Sequence, residues 1–597
     1  MRIGFCLMAL GAGLLLRCAV MSWHDTPRGD VLLDVSVARS VASGEGYASG
    51  FHRGTAFVFG DGPVPPQDRA DQHGPLWPTM GVALSVLTGS SFSGLKLGSL
   101  LCGFLCLLLV WRMADRLTEG ISGCPDGIPA LATSLVALSF PLVEFSGNGS
   151  LYMAQTVLVL LLVECLCRPG YGTIGAGVVL GLAWLLNYQS MALLPVPLVV
   201  LMLTASSGDR GKALRAGTTA IAVAVAMQIP WWWRNGEVFG ALLYSVNPGH
   251  YLVHAGLGPG LGMEDGLPVA RFIHSITPQL LVTAPSAWLL PQILYVFTTG
   301  LILLPGSLAL VGAGGLSLAS LGIARKERRP VACIVVLLVL LLAALAWPGI
   351  KLRYLVPLLP LIVLVAVRVA VSRPLPGEKW GLLAVGGLWL TTLFLTRDDL
   401  FGTADVPRPE RWWITALGGL GSLGLPILLR WRNLSRQGVG LVLASGLLFV
   451  PTVTVLIYGT SPSSHPLTSY HSSWLTPDFY GKHKEIDEAA EMEALFSVAK
   501  VLHEEGAKTV AAPFGLIFDK DFFVVTLPSL GPGSFQEEAL VSLVDRFDVD
   551  HVVTPESGDW PTGLRPGVEW LSGRLEVVRT VDSASESRGF LVSRVHP

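Results

Sequence analysis

Apolar residues in this chain gather into long runs that show neither the 3.6-residue stripe of a surface helix nor the two-residue alternation of a half-buried strand. A helix that is apolar all round needs an apolar surrounding, and roughly 20 such residues span the hydrocarbon of a bilayer. The runs cover residues 3–20, 95–110, 128–145, 151–167, 174–186, 190–203, 216–231, 296–321, 331–347, 354–371, 380–395, 413–429 and 439–458. They predict about thirteen membrane helices, an odd number that places the two ends of the chain on opposite sides. The first run resembles the apolar core of a signal peptide, but no small-residue cleavage site follows it, so it is read as a retained helix.

The polar segments between the runs alternate in charge. One set holds Arg112 and Arg116, then Arg168, then Arg210, Lys212 and Arg215, then Arg325, Lys326, Arg328 and Arg329, then Arg373 and Lys379, then Arg430, Arg432 and Arg436. The excess of Lys and Arg marks this set as cytoplasmic. The N-terminus is then cytoplasmic, while the longer loops and the C-terminal region face outward, as expected for a multi-pass protein of the cytoplasmic membrane. Arg17 lies inside the first run and is expected to snorkel toward the outer surface.

Composition agrees with this class. The 597 residues are 51% hydrophobic and 14% charged, with a mean hydropathy of +0.57, too apolar for a water-soluble globule. The net charge of -2 gives no reason to expect nucleic acid as a partner. The eight cysteines all precede residue 334 and fall in or beside apolar runs, without disulfide or zinc spacing. No liganding cluster stands out, so no metal site is assigned and no essential cofactor is expected, although dependence on a divalent metal stays open.

Three segments outside the runs are long enough to fold. Residues 21–94 contain a helical stretch near 35–42, a Gly- and Pro-rich bend, and the short apolar segment LWPTMGVALSVL, which is expected to lie in the interface or re-enter. Residues 234–290 form a second outer loop, expected to be ordered. Hydropathy falls after the punctuated stretch GTSPSSHPLTS, which divides a transmembrane domain, 1–460, from an extracytoplasmic α/β domain, 461–597. In the latter, Met492, Leu495, Phe496, Ala499 and Leu502 follow helical spacing, strands are expected at 522–526, 551–553, 575–581 and 590–595, and a second helix at 537–547. A binding or structural role is favoured there over catalysis.

The first outer loop, GDVLLDVSVARSVASGEGY, carries Asp30 and Asp34 one helical turn apart in a chain poor in charge. A carboxylate at the edge of a bilayer can take a proton from an incoming hydroxyl while a lipid-linked reactant waits in the membrane. Asp is also among the best helix caps, and a cap would by itself explain Asp30.

The order of motifs resembles the GT-C class of membrane glycosyltransferases, in particular the RgtA/B/C/D-type lipopolysaccharide transferases and, more distantly, the protein O-mannosyltransferases and aminoarabinose transferases. The resemblance rests on five places. Asp30, Ala38, Arg39, Gly44, Gly46 and Tyr47 match the loop with the family's catalytic aspartate. HGPLWP, with His73, is similar to H-P-P-L-Y-P. PWWWRN, with Arg234 and Asn235, resembles the segment entering the family's long outer loop. RYLVPLLP, with Arg353 and Tyr354, resembles R-Y-x-x-P-x-x-P, and a soluble tail completes the order. The chain departs from the pattern in having Val31 after Asp30, and in having no carboxylate in NGSLYMAQ at the start of the fourth span, with Glu144 on the preceding span instead.

What the resemblance implies is a sugar donor linked through phosphate to a polyprenol, and a hydroxyl acceptor on a lipid, glycan or protein at the outer face among membrane lipids. Asp30 is then the general base and Asp34 the second choice. His73, Arg234, Asn235, Lys351, Arg353 and Tyr354 become substrate-binding candidates, with Arg353 and Lys351 on the phosphate and Tyr354 stacking on a sugar or prenyl unit. The bland readings are a turn histidine, interfacial anchors at Lys351 and Arg353, and an Arg234 that only fixes its loop. A flippase or transporter for a lipid-linked sugar, and an O-antigen polymerase or ligase, are the alternative classes.

Overall fold

A computed structural model of the chain describes, apart from a few isolated positions, residues 2–23, 30–48, 51–53, 73–119, 127–168, 172–240, 328–346, 354–372, 488–512, 523–526, 544–555, 574–581 and 590–596. The proposed spans at 296–321, 380–395, 413–429 and 439–458 lie outside the described residues, as does most of the segment 234–290 expected to be an ordered outer loop. The described residues fall into two compact units.

The first unit is helical. It contains α1 (Arg2–Trp23), most of α4 (Ser91–Thr118), α5 (Ile128–Ala137), α6 (Phe140–Gly147), α7 (Tyr152–Leu166), α8 (Gly172–Leu186), α9 (Val196–Thr204), α10 (Arg210–Ala226), α12 (Arg328–Ala346) and α13 (Leu358–Ser372). Among the described residues α4 alone is both long and apolar enough to cross a membrane by itself, and several others are shorter apolar helices. Three proposed spans are interrupted. In the run 216–231, α10 ends at Ala226 and the next helix begins at Ile229. The run 128–145 is α5 and α6, parted at residues 138 and 139, and the run 190–203 opens as a 3-10 helix, Tyr188–Leu193, before α9. Pro141 near the start of α6 and Pro195 and Pro197 around the start of α9 explain the latter two breaks, because proline is accepted in a first turn and not in a helix interior.

Arg17 corrects the snorkelling expectation. It is fully buried, and its guanidinium donates to the carbonyls of Gly13 (2.9 Å), Val136 (3.2 Å) and Ala137 and to Ser146 Oγ (3.2 Å). The carbonyls ending α5 have no helical partner, and in an apolar interior each unsatisfied group is costly. Arg17 satisfies two of them at the break. Gly13, one turn earlier, allows the approach, since a Cβ there would stand 2.6 Å from the Ala137 oxygen. Replacing Arg17 by Leu orphans the Ala137 carbonyl at about 1–3 kcal/mol, while the Val136 carbonyl keeps the Ser139 N–H at 3.3 Å, so the expected result is a lower unfolding temperature in detergent, with only partial rescue by Lys, which lacks the planar fork.

The second unit is mixed. It contains α2 (Asp30–Ala42), β1 (Phe51–Arg53), α3 (Leu76–Thr88), α11 (Ile229–Phe239), α14 (Glu488–Glu505), β2 (Thr509–Ala512), β3 (Phe523–Thr526), β4 (His551–Pro555), β5 (Leu575–Val581) and β6 (Phe590–Val595). The strands form one sheet in the order β1-β3-β2-β4-β6-β5. β1, β3, β2 and β4 run parallel, and β6 is antiparallel to both β4 and β5. β2 is TVAA with its last three residues buried, as a central parallel strand requires, whereas β5 is exposed at most positions and closes the edge. Strands expected at four places are present, close to the expected limits. β2 and β1 were not foreseen, and the expected helix at 537–547 lies largely outside the described residues.

α14 buries Leu495, Val498, Ala499 and Leu502 against this sheet, in one cluster with Val510, Val524, Val553 and Val592. Phe496 departs from the helical-face expectation and is 46% exposed. Arg579 and Arg594 on β5 and β6 pair with Glu504 and Glu505 at the end of α14. Asp550 joins two strands: Oδ2 accepts the backbone N–H groups of Lys508 and Thr509, and Oδ1 accepts from His551 Nδ1. Burial opposes ionisation of Asp550, but the His551 ring and the two N–H groups outweigh it and hold the carboxyl below its usual range.

Candidate functional site

The helix α2 begins at Asp30, five residues before the helical stretch expected near 35–42 and with Asp30 inside it rather than capping it, and it is unusually buried for a loop helix. Val31, Leu32, Leu33, Val35, Val37 and Ala38 are all within 6% of complete burial. Leu32 and Leu33 belong to the same hydrophobic cluster as α14 and the sheet. The loop reaches the sheet a second time through β1, where Phe51, His52 and Arg53 pair in parallel with Val524, Val525 and Thr526. The segment carrying the acids is therefore built into the core and the edge of the C-terminal sheet.

Asp34, one turn after Asp30, is 2% exposed and accepts from His73 Nδ1 at 2.9 Å. A carboxylate only accepts, so the Nδ1 proton lies toward Asp34. The bond ties α2 to HGPLWP, whose His73 precedes α3, and α2 also lies against α3. This pairing of two sequence-derived candidates could not be read from their spacing, 39 positions apart.

Tyr47 extends the set. Its hydroxyl donates to the carbonyl of His73 at 2.7 Å, and its own carbonyl accepts from Arg234 Nη2 at 3.1 Å. To bring Tyr47 back over His73 the chain must turn twice after α2. Gly44 and Gly46 supply those turns with φ of +83° and +84°, a region that costs other residues but not glycine. This accounts physically for the G-x-G before Tyr47.

Arg234 on α11 is enclosed by aromatic rings, with its Cζ 4.7 Å from the Trp231 centroid, 5.1 Å from Phe239 and 5.5 Å from Tyr47. Nη1 donates to Asn235 Oδ1 at 2.9 Å, and Asn235 is 1% exposed. Tyr47 and Trp231 meet edge to face at 4.7 Å. Asp34, His73, Arg234 and Asn235, four of the predicted residues, are thus brought together, with Tyr47 as the link. Changing Tyr47 to Phe keeps the ring contacts and removes the bond to the His73 carbonyl. The expected cost is about 0.5–1.5 kcal/mol in stability, seen as earlier proteolytic cleavage of the loop that carries Tyr47.

The first unit contributes a separate set. Tyr354 stands edge to face with Tyr152 at 6.3 Å, and Tyr152 with Phe145 at 5.5 Å. Beside Phe145 on α6, Glu144 is 3% exposed, the carboxylate that the sequence places on the preceding span. Gln155 on α7 bonds weakly with Ser190 and Asn187, both contacts at 3.4 Å. Lys351 and Arg353 lie outside the described residues. Among the described residues no group of three His, Cys, Asp or Glu side chains is placed to hold a metal.

Comparison with known proteins adds two findings. The sequence model of the dolichyl-phosphate-mannose-protein mannosyltransferase family matches residues 72–233. Among solved structures, ArnT from Cupriavidus metallidurans bound to undecaprenyl phosphate is similar over 99% of this chain and 98% of its own, with a TM-score of 0.60 and 13% identity. The apo form of that protein gives 0.55 over the same shares at 13% identity. The archaeal oligosaccharyltransferase AglB from Archaeoglobus fulgidus gives 0.46 at 11% identity, over 92% of this chain and 69% of its own. No curated protein matches the sequence significantly. The resemblance read from the motifs therefore holds at the level of fold: the chain has the architecture of the GT-C class.

Proposed function

We propose that the chain is a membrane glycosyltransferase that moves a sugar from a polyprenyl-phosphate donor to a hydroxyl of a lipid, glycan or protein at the outer face of the cytoplasmic membrane. The observation carrying this reading is that its motif-bearing first loop is held rigidly, by the Asp34–His73 bond and the Tyr47–Arg234 lattice, on a fold similar to that of an undecaprenyl-phosphate-binding protein over nearly the whole chain.

In this reading the acceptor oxygen attacks the anomeric carbon and its proton passes to Asp30. The bond from that carbon to the phosphate oxygen breaks, and polyprenyl phosphate leaves with the electron pair. Asp30 stands in the first turn of α2, where the positive end of the helix dipole tolerates a negative charge. Asp34 serves differently: a buried acid already bonded to His73 is poorly placed to receive a proton and well placed to fix the helix. Lys351 and Arg353 stabilise the charge gathering on the departing phosphate, and Tyr354 contacts the sugar or the first prenyl unit. A single displacement inverts the anomeric centre and needs no carboxylate nucleophile.

Membranes containing the chain should incorporate labelled sugar from a polyprenyl-phosphate donor and not from a nucleotide sugar. Incorporation from the nucleotide sugar alone, or from neither, rejects the reading. Arg353→Gln should raise the KM for the donor and lower kcat while leaving the acceptor KM unchanged.

A further inference from the structure

We infer that the basic end of the helical unit holds a second phosphate site, one that takes the headgroup of an anionic phospholipid. Its centre is Glu164 on α7, whose side chain is 5% exposed. Three guanidinium groups converge on a single oxygen of that carboxylate, Oε1: Arg116, Arg112 at 3.5 Å and Arg168 at 3.2 Å. Arg112 and Arg116 come from the last turns of α4, and Arg168 follows α7.

Two further arginines belong to the cluster. Arg328 and Arg329 open α12, and their charges, with those of Arg116 and Glu164, all act on the Cys167 thiol. Five guanidinium groups against one carboxylate leave four positive charges in surplus within this set. Asp209, the acid facing Arg328, is itself bonded to Ser206 and Lys212.

The two helix polarities differ in what they ask for. Cations at the C-terminal ends of α4 and α7 agree with the helix dipole, but two arginines at the N-terminus of the 19-residue α12 oppose it. An anion there would answer both the dipole and the surplus charge. A second observation points the same way. Arg329 is half-buried, and its Nε is shielded from solvent with no hydrogen-bond acceptor among the described residues, just as Glu164 Oε2 has no donor among them, so the cluster keeps a guanidinium N–H open to an oxygen. Arg112 and Arg168 each spend one or two of five donors on Glu164 and remain about half exposed, at 47% and 51%. Planar guanidinium forks on a shared surface match the oxygens of a phosphodiester.

The test is thermal unfolding of the detergent-purified full chain titrated with phosphatidylglycerol, with phosphatidylcholine, and with inorganic phosphate. Phosphatidylglycerol should raise the unfolding temperature, and phosphatidylcholine should not. Arg168→Gln combined with Arg328→Gln leaves the Arg116–Glu164 pair intact and should remove at least half of that shift, while the corresponding Lys pair retains most of it. Should the double variant fail to fold, Arg168→Gln alone is expected to weaken the response to phosphatidylglycerol. Equal responses to the two lipids in the unaltered chain, or an undiminished response in the variants, overturn the site. A shift reproduced by inorganic phosphate overturns the assignment to a lipid.

Discussion

Asp30→Asn should abolish sugar transfer while leaving the amount of protein in the membrane unchanged. Asn fits the space of Asp and remains an acceptable residue at a helix start, so α2 should persist. It cannot take a proton at neutral pH. General-base catalysis contributes roughly 10²–10⁴-fold, and a loss in that range is expected in kcat with little change in the donor KM. Asp34→Asn should behave otherwise. It weakens the bond to His73, so its lost activity should come with earlier unfolding of the loop, and the combined Asp34→Asn and His73→Ala variant should lose little more than either alone. If Asp34→Asn abolishes transfer at normal stability and Asp30→Asn does not, the two roles are exchanged.

The second large effect lies far along the chain from the acids. Val524 is fully buried in β3 and pairs with Phe51 of the first loop on one side and Val510 on the other. Val524→Pro removes a ladder hydrogen bond from a strand paired on both edges and forces a ring into the sheet, at about 3 kcal/mol or more. The expected result is release of β1 and loosening of the core that holds Leu32 and Leu33. Transfer should fall at least tenfold, with faster proteolytic cleavage of the first loop and unchanged membrane insertion. Normal transfer by a chain whose sheet has been shown to be broken would mean that the sheet does not support the acid-bearing helix.

What the sequence revealed follows from the range over which its signals act. Hydropathy is summed over a helix, so α1, α4, α7 and α8 were legible, as were the strands 575–581 and 590–595, where composition changes sharply. Breaks inside apolar runs were not, because Pro141 and Pro195 sit in stretches whose mean hydropathy hides them. Arg17 was misread for a related reason: a lone cation in an apolar helix suggests snorkelling, and only the end of α5 beside it explains its burial. The candidate residues Asp34, His73, Arg234 and Asn235 were legible as motifs, but not as one bonded set. The central part of Tyr47 was hidden, since in a motif it reads only as the aromatic after two glycines. The pairing of three loop residues with β3, almost the whole length of the chain away, left no local trace.

The central claim is most directly tested on the purified chain given a polyprenyl-phosphate sugar of known anomeric configuration and a hydroxyl acceptor, with the products followed by NMR. The account predicts one polyprenyl phosphate released for each sugar transferred, and a new glycosidic bond of inverted configuration. Retained configuration, or donor recovered intact from the opposite side of a vesicle, would contradict it.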